Sequence, residues 1–427
     1  MKNLDLSKIK KVFFIGIGGI GISALAKMCV SKGMEVFGVN DEDGKTIDSL
    51  KEAGIHVVFQ KNMKELPEAD LYVYSDAWIY RGPEILEQAR ASGKPVLSYF
   101  EALGQFAKEY KVIAIAGTHG KTTTTAMVSG ILIDAGLDPT CVVGSLVEKF
   151  DPANVIGSNF KKGDGEYLVV EADEYNRHFL NFRPFITVIT NIEADHLDCY
   201  KDLADIQQAF NKLSSQSKNV ISDYTTYLDK VPKLLVAGLH NKLNAAAALA
   251  VADMLKIKLD VAQKSLAGFA GTWRRLEKKG KTEEGTIIYD DYAHHPTEIK
   301  ASLQALREIY PKGSKKITVL FQPHLYSRTK ALFDDFAESF AEADRVLLLP
   351  IYFAREALDE SVSSEKLGNA ICASFLKGDK QASVQAFSDF TSAEKAVLDL
   401  ELGPNDVFVT MGAGEAYKVA DKVFKIV

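Results

Sequence analysis

Lys121 closes the run Gly117-Thr118-His119-Gly120-Lys121-Thr122-Thr123, and these residue types at this spacing suit a phosphate group. Glycines let backbone N–H groups converge on one point, and a helix N-terminus favours an anion there. The lysine adds a mobile positive charge for terminal phosphates, and the Thr122 hydroxyl can hold Mg²⁺. The spacing is unusual: two residues separate the glycines, one of them His119. A chance glycine turn before a capped helix would share the glycines. It would not share the apolar strand Ile113–Ala116 before them and the Ala/Val/Ile-rich helix after them.

A phosphate loop needs carboxylates for its cation, and two later stretches offer them. The apolar run Tyr167–Val170 ends in Glu171-Ala172-Asp173-Glu174, a place where phosphate-loop proteins hold Mg²⁺. The run Thr187–Ile192 ends in Glu193-Ala194-Asp195-His196-Leu197-Asp198, where His196 could ligate a second metal or touch phosphate. Asn241 and Asn244 lie three apart at the start of an alanine-rich helix. Their amides could reach one planar ligand, or Asn could act as a helix cap. Arg274-Arg275 could stabilise charge on a transferring phosphoryl group, or form a solvated basic pair. Further polar clusters close the strands Thr286–Asp291 and Lys316–Phe321: Asp291-Tyr292-Ala293-His294-His295 and Gln322 through Arg328. The turn Gly412-Ala413-Gly414-Glu415 could be an anion site or only a tight turn.

The elements that must position these residues read as alternating strands and helices, so the fold class is α/β. Val12–Ile17, the cluster Gly16, Gly18, Gly19 and Gly21, a helix from about Ile22 to Lys32 and a strand Glu35–Asn40 form a Rossmann-like unit. Asp41 follows the second strand, where ribose or base hydroxyls are read, and Ser75-Asp76 closes the strand Leu71–Tyr74. Three domains are expected: a Rossmann-like one over 1–108, a P-loop ATPase-like one over 109–272 and a Rossmann-like one over 273–427. Between Gly136 and Tyr167 no element is evident.

Bulk properties narrow the partners. The chain has 427 residues, 47% hydrophobic and 25% charged, with a net charge of −6. That balance argues against a nucleic-acid partner. Its four cysteines are scattered without metal-ligand spacing and read as thiols of a reducing compartment. Lys8, Lys10 and Lys11 before the apolar run Val12–Ala26 imitate a signal peptide, but the glycines inside that run suit a turn. No other run is long enough to span a bilayer, so a cytoplasmic protein with no membrane partner is expected.

These motifs resemble those of the Mur ligase family, ATP-dependent amide-forming enzymes of peptidoglycan precursor synthesis. The resemblance rests on Gly117–Thr123, Glu171–Glu174, Thr190–His196, His240–Asn244 and Asp291–His294, within matches from Val12 to Glu415. The pieces Ile15–Ala24, Thr118-His119-Gly120 and Gln322–Arg328 point to the alanine-adding branch. The resemblance implies ATP and Mg²⁺ as cofactors and UDP-N-acetylmuramate and L-alanine as substrates. It also implies an acyl-phosphate intermediate; a monomer or weak homodimer is expected. Gly117, Thr118, His119, Gly120, Lys121, Thr122 and Thr123 would bind ATP, with Asn241 and Asn244 at adenine, Arg275 near the γ-phosphate and Asp291 at the ribose. Thr122, Glu171 and His196 would serve the metals. Tyr292, His294 and Arg328 would shape the amino-acid pocket, and Gly16, Gly18, Gly19, Gly21, Asp41 and Ser75 would take the UDP-sugar. Lys121, Glu171, His196, Arg275, His294 and Arg328 would be the catalytic set. Three departures stand out: a short Asp198–Gly238 stretch, Asn176 and His178 where relatives carry Asp and Ser or Thr, and Leu325 for an arginine. A tripeptide-recycling ligase of the same family, a nicotinamide-dependent oxidoreductase and an inactive binding protein are the alternatives.

Overall fold

Strands made of continuous apolar runs are buried on both faces. Three of them, β1 (Lys11–Ile15), β6 (Lys111–Ala116) and β14 (Lys316–Phe321), lie inside three separate sheets. The computed structural model describes residues 4–63, 65–151, 157–353, 356–377 and 383–427. The chain divides into two compact units. One holds the residues up to Ala194 together with Cys199–Lys233 and Leu243–Thr272; the other holds Asp195–Asp198, Leu234–Lys242 and Trp273–Val427.

The first unit carries two sheets. In the N-terminal one, β1 is flanked by β2 (Glu35–Asn40) and β3 (His56–Phe59) on one side and by β4 (Leu71–Tyr74) and β5 (Val96–Ser98) on the other. The order 3-2-1-4-5, all parallel, is that of an open doubly wound sheet. Successive residues of β1 point to opposite faces. Val12 and Phe14 enter a core shared with Leu25 and Phe106, while Phe13 and Ile15 enter one with Tyr72 and Trp78. The lysine-led apolar run at the start thus divides into β1, a glycine turn and the helix Ile20–Ser31. Gly33, at φ 80°, ends that helix, with Met34 N–H closing back on Cys29 C=O.

The second sheet of this unit adds β7 (Thr140–Val147), β8 (Ser158–Lys161), β9 (Tyr167–Glu171), β10 (Ile186–Ile189) and β11 (Asn219–Ile221) to β6. Its order is β11-β10-β6-β9-β7-β8, with only β7 and β8 antiparallel. β7 and β8 occupy the stretch where no element was expected. Gly144 interrupts the β-branched run of β7, which hides the strand in the sequence. The short Asp198–Gly238 stretch, one of the departures from relatives, holds the helix Leu203–Gln216, β11 and a 3₁₀ turn over Thr225–Lys230.

The second unit carries the third sheet: β12 (Glu277–Lys281), β13 (Ile287–Asp291), β14, β15 (Arg345–Leu348), β16 (Ser383–Ala386) and β17 (Asp406–Met411). Its order is β12-β13-β17-β14-β15-β16, parallel apart from β12. Ile317, Val319 and Phe321 pack on one face, Ile288, Leu320 and Phe408 on the other. The α/β class and the three sheets are those expected. Among the described residues no helix is long and apolar enough to cross a membrane.

Candidate active site

The phosphate loop leaves β6 at Gly117 and enters the helix Lys121–Asp134. Two backbone conformations explain its glycines. Gly117 has φ 137°, and a Cβ there would lie 2.0 Å from Thr190 Oγ1; Gly120 has φ 81°, and a Cβ there would lie 2.4 Å from Asn244 Oδ1. Asn244 is buried and sits against the loop. The helical ladder begins with Thr124 N–H donating to Gly120 C=O, so the N–H groups of the first turn precede it.

Not every loop N–H faces a ligand. Thr118 N–H donates to Asn191 C=O, and His119 N–H to Asn191 Oδ1 at 2.9 Å. Asn191 Nδ2 donates back to His119 C=O at 3.0 Å, and Thr190 Oγ1 to the same oxygen at 2.6 Å. The Asn191 amide therefore brackets the His119 peptide from both sides, and His119 Nε2 lies 3.5 Å from Glu193 Oε2. The residue between the glycines is held by its backbone, from the end of β10. Replacing Asn191 by alanine removes two bonds worth about 1 kcal/mol each. We expect ATP affinity to fall about tenfold in a calorimetric titration. Unchanged affinity would show that the bracket does not shape the loop.

Lys121 Nζ donates to Gly117 C=O at 2.6 Å, to Thr118 C=O at 3.0 Å and to Glu174 Oε1 at 3.1 Å, with Glu174 Oε2 2.8 Å away. Burial alone would lower the ammonium's pKa, but Glu174, Asp173 and Glu171 outweigh it and hold Lys121 charged, above the usual lysine value. Burial also pushes the Glu174 carboxyl up to about 7, against the pull of Lys121. Thr122 Oγ1 lies 3.0 Å from each Glu171 oxygen, and Gly144 N–H donates to Glu171 Oε2 at 2.9 Å. A Cβ on Gly144 would come within 2.5 Å of that oxygen, so a larger residue there would displace the Glu171 carboxylate. Thr122 and Glu171 thus form an all-oxygen pair of the kind a hard divalent cation takes.

At the first sheet, packing already accounts for much of the glycine cluster. A Cβ on Gly16 would lie 2.2 Å from the Trp78 ring, one on Gly18 2.6 Å from Asn40 Nδ2, and one on Gly21 2.9 Å from the Tyr99 ring. Gly19 caps the helix Ile20–Ser31, Ser75 N–H bonds Ile15 C=O, and Asp41 pairs with Arg81 at 2.9 Å. Asp76, beside Ser75, pairs with His178 at 2.9 Å, and the His178 ring stacks on Phe100. The unusual His178 therefore reaches the carboxyl edge of the first sheet. Asn176 and Arg177 before it both have positive φ, at 50° and 58°, and Arg177 is fixed by Asp205 at 2.6 Å.

In the second unit the two adjacent arginines part ways. Arg274, at φ 56° and 5% exposed, donates to Asp290 at 2.8 Å and to the carbonyls of Gly412 and Gly414. Gly412 N–H goes to Asp291 C=O and Glu415 N–H to Gln322 Oε1. The Gly412–Glu415 turn therefore presents two carbonyls to an arginine, and its first and last N–H groups are engaged within the protein. Arg275 is more open, 3.9 Å from Glu298 and stacked over the Tyr292 ring. Asp291 is buried, with Ser302 Oγ and Ala293 N–H on its oxygens, and burial lifts its carboxyl to about 6. Burial lowers His294 to about 4, with Glu298 opposing, so its ring is neutral at pH 7; Nδ1 lies 2.9 Å from Tyr292 C=O. Arg328 pairs with Asp195 through Nε at 3.0 Å. His196, at φ 55°, has its N–H on Asp195 Oδ1, and Asn241 Nδ2 donates to Ala237 C=O.

The structure thus gathers Lys121, Thr122, Glu171 and Asn244 in the first unit. It gathers Asp195, Arg275, Tyr292, His294 and Arg328 in the second. His196 and Asn241 belong to the second unit as well. Asn191 and Asp195 were given no individual role in the sequence reading, and Glu174 only a share in the acidic strand end offered to Mg²⁺; their signal was their place at strand ends.

A parallel sheet bearing a phosphate loop after an inner strand, accompanied by two further α/β sheets, defines a multidomain nucleotide-dependent enzyme. The chain belongs to the Mur ligase family. Residues 11–111 match the model of the Mur ligase family catalytic domain, 115–231 that of the Mur ligase middle domain, and 274–414 that of the Mur ligase glutamate ligase domain. The UDP-N-acetylmuramate–L-alanine ligase of Clostridium tetani is 37% identical over 470 residues, covering 98% of this chain and 99% of the relative. The crystal structure of a UDP-N-acetylmuramate–alanine ligase from Thermotoga maritima superposes with a TM-score of 0.77 at 29% identity, over 97% of this chain and 98% of that one. A murein peptide ligase from Psychrobacter arcticus shares the fold, with a TM-score of 0.67 at 23% identity over 97% and 98% of the two chains.

Proposed function

We propose that the protein is an ATP-dependent ligase that joins L-alanine to UDP-N-acetylmuramate in peptidoglycan precursor synthesis. The observation that carries this reading is the end-to-end similarity to alanine-adding relatives, combined with an intact Lys121–Thr122–Glu171 arrangement. A carboxylate oxygen of the muramic acid attacks the γ-phosphorus of ATP, releasing ADP and leaving an acyl phosphate. The alanine amine, deprotonated, adds to the acyl carbon, and the tetrahedral adduct expels phosphate to leave the amide. Such phosphoryl transfer depends on positioning and charge neutralisation more than on covalent help.

The chain's own groups divide these tasks. Lys121 exchanges a carbonyl partner for a phosphate oxygen, and Gly117–Thr123 lines the phosphates. Thr122 and Glu171 would hold Mg²⁺, with His196 at a second metal position; the cation supplies charge neutralisation on the phosphates. Asn241 and Asn244 serve the adenine, Asp291 the ribose and Arg275 the γ-phosphate. Neutral His294, with Tyr292 and Arg328, receives the amino acid. Gly16, Gly18, Gly19, Gly21, Asp41 and Ser75 serve the UDP-sugar. We further infer a cytoplasmic enzyme of small substrates, a monomer or weak homodimer without a membrane partner; the net charge of −6 weighs against a nucleic-acid partner.

The test is phosphate release with ATP, Mg²⁺ and UDP-N-acetylmuramate, supplied with either L-alanine or the murein tripeptide. We expect release and amide product with L-alanine. Product with the tripeptide alone would overturn the reading in favour of a recycling ligase.

A further inference from the structure

Tyr99 opens the helix Tyr99–Phe106, and the groups that fix its ring all lie in the first unit. A capping box sets the helix start: Ser98 N–H donates to Glu101 Oε2 at 2.8 Å and Glu101 N–H to Ser98 Oγ at 3.3 Å. The Tyr99 ring meets Phe100 edge-on, with centroids 4.5 Å apart. Phe100 stacks in turn on His178, which pairs with Asp76. The hydroxyl end of Tyr99 lies against the first turn of the helix Ile20–Ser31, where a Cβ on Gly21 would be 3.0 Å from the hydroxyl oxygen. Cap, aromatic neighbour and glycine socket thus determine where the hydroxyl sits. The fold itself makes no use of that hydroxyl: among the described residues it has no hydrogen-bond partner, although the side chain is half-buried. A tyrosine hydroxyl withdrawn from water usually finds one. Burial, Glu171 and Asp173 hold it protonated, well above the ordinary tyrosine value.

We propose that the Tyr99 hydroxyl donates a hydrogen bond to the carboxylate of the muramic acid, and that this bond makes the carboxylate part of what the enzyme recognises in the nucleotide sugar. The assignment rests on the proposed function and deepens it. Gly21 belongs to the glycine turn proposed for the UDP-sugar, and Glu171, bonded to Thr122, to the cation site proposed for ATP. One substrate group belongs to both neighbourhoods: the carboxylate that hangs from the sugar and attacks the γ-phosphorus. Glu171 and Asp173 repel a further carboxylate. A neutral donor that keeps its proton offsets that repulsion without adding a charge that the next step must release. One carboxylate oxygen accepts from Tyr99, and the other is left to attack phosphorus; no proton changes hands.

The experiment titrates the full-length enzyme calorimetrically, with Mg²⁺ and a non-hydrolysable ATP analogue present. The two titrants are UDP-N-acetylmuramate and UDP-N-acetylglucosamine, which lacks the lactyl carboxylate. The wild type is expected to bind the first more tightly. Tyr99→Phe removes one oxygen and keeps the ring. Its affinity for UDP-N-acetylmuramate is expected to fall by at least about tenfold, the scale of a hydrogen bond to a charged group, while that for UDP-N-acetylglucosamine stays within about twofold. The variant should also melt with the wild type, since no group of the fold loses a partner. Parallel weakening for both sugars, or no weakening for either, would overturn the proposal. Equal wild-type affinity for the two sugars would do the same, because the carboxylate would then go unread. A variant that melts well below wild type, or does not fold, would show that the hydroxyl serves the structure, and would overturn it too. Wild-type enzyme that binds neither nucleotide sugar would instead sink the proposed function itself.

Discussion

Lys121→Ala is expected to slow ATP-dependent amide formation by about a thousandfold, the upper range for losing one preorganised charge-stabilising donor. The ammonium is the permanent cation of the phosphate loop, and its donors are held on Gly117 C=O, Thr118 C=O and Glu174. The substitution also removes the counter-ion of Glu174, which is 3% exposed. Breaking a buried pair in this way can cost about 3–5 kcal/mol. Here the cost is smaller, because burial already lifts Glu174 to about 7 and it can take up a proton instead. The double variant Lys121→Met/Glu174→Gln removes both charges and separates the two effects. It should melt close to wild type and remain as inactive as Lys121→Ala in a phosphate-release assay. A folded Lys121→Ala protein with an unchanged rate would mean that the phosphate site lies elsewhere.

The neighbouring arginines give the second large contrast. Arg274→Met strands Asp290 in the core of the second unit with, among the described residues, Thr410 Oγ1 as its remaining side-chain donor, 2.6 Å away. It also frees the carbonyls of Gly412 and Gly414 and vacates the face of Tyr417, 4.5 Å from the guanidinium. A loss of about 3–5 kcal/mol follows, visible as an early melting step in calorimetry. Arg275→Met touches none of these groups. It should melt within a few degrees of wild type while kcat falls about a hundredfold, the scale of a charge that acts on the reacting phosphoryl group. Equal melting temperatures for the two variants would contradict the division of labour between them.

That contrast marks where the sequence stopped being readable. Arg274 and Arg275 are the same residue type side by side, yet Arg274, at positive φ, has its guanidinium held by Asp290 and the carbonyls of Gly412 and Gly414. The phosphate loop was legible because three local signals coincide: an apolar strand, glycines at a fixed spacing, and a helix start. The sheets containing β1, β6 and β14 were legible from the apolar runs of those strands. β7 was not, because Gly144 breaks its β-branched pattern to make room for Glu171, a demand set by a residue 27 positions away. The Asn191 bracket was invisible on similar grounds, since its partner His119 lies 72 positions earlier. Pairings of this kind are tertiary, and neither propensity nor periodicity encodes them.

The glycine sockets of the first sheet bear on how this family's history is read. Gly16, Gly18 and Gly21 face Trp78, Asn40 and Tyr99 at distances that exclude any larger residue without rearrangement. Packing alone favours glycine at these three positions, most firmly at Gly16 with its φ of 80°. A descendant that abandoned the reaction would retain the glycine run and let Lys121 drift. Among divergent homologues, lost activity is therefore better traced through the lysine than through glycines that packing also favours.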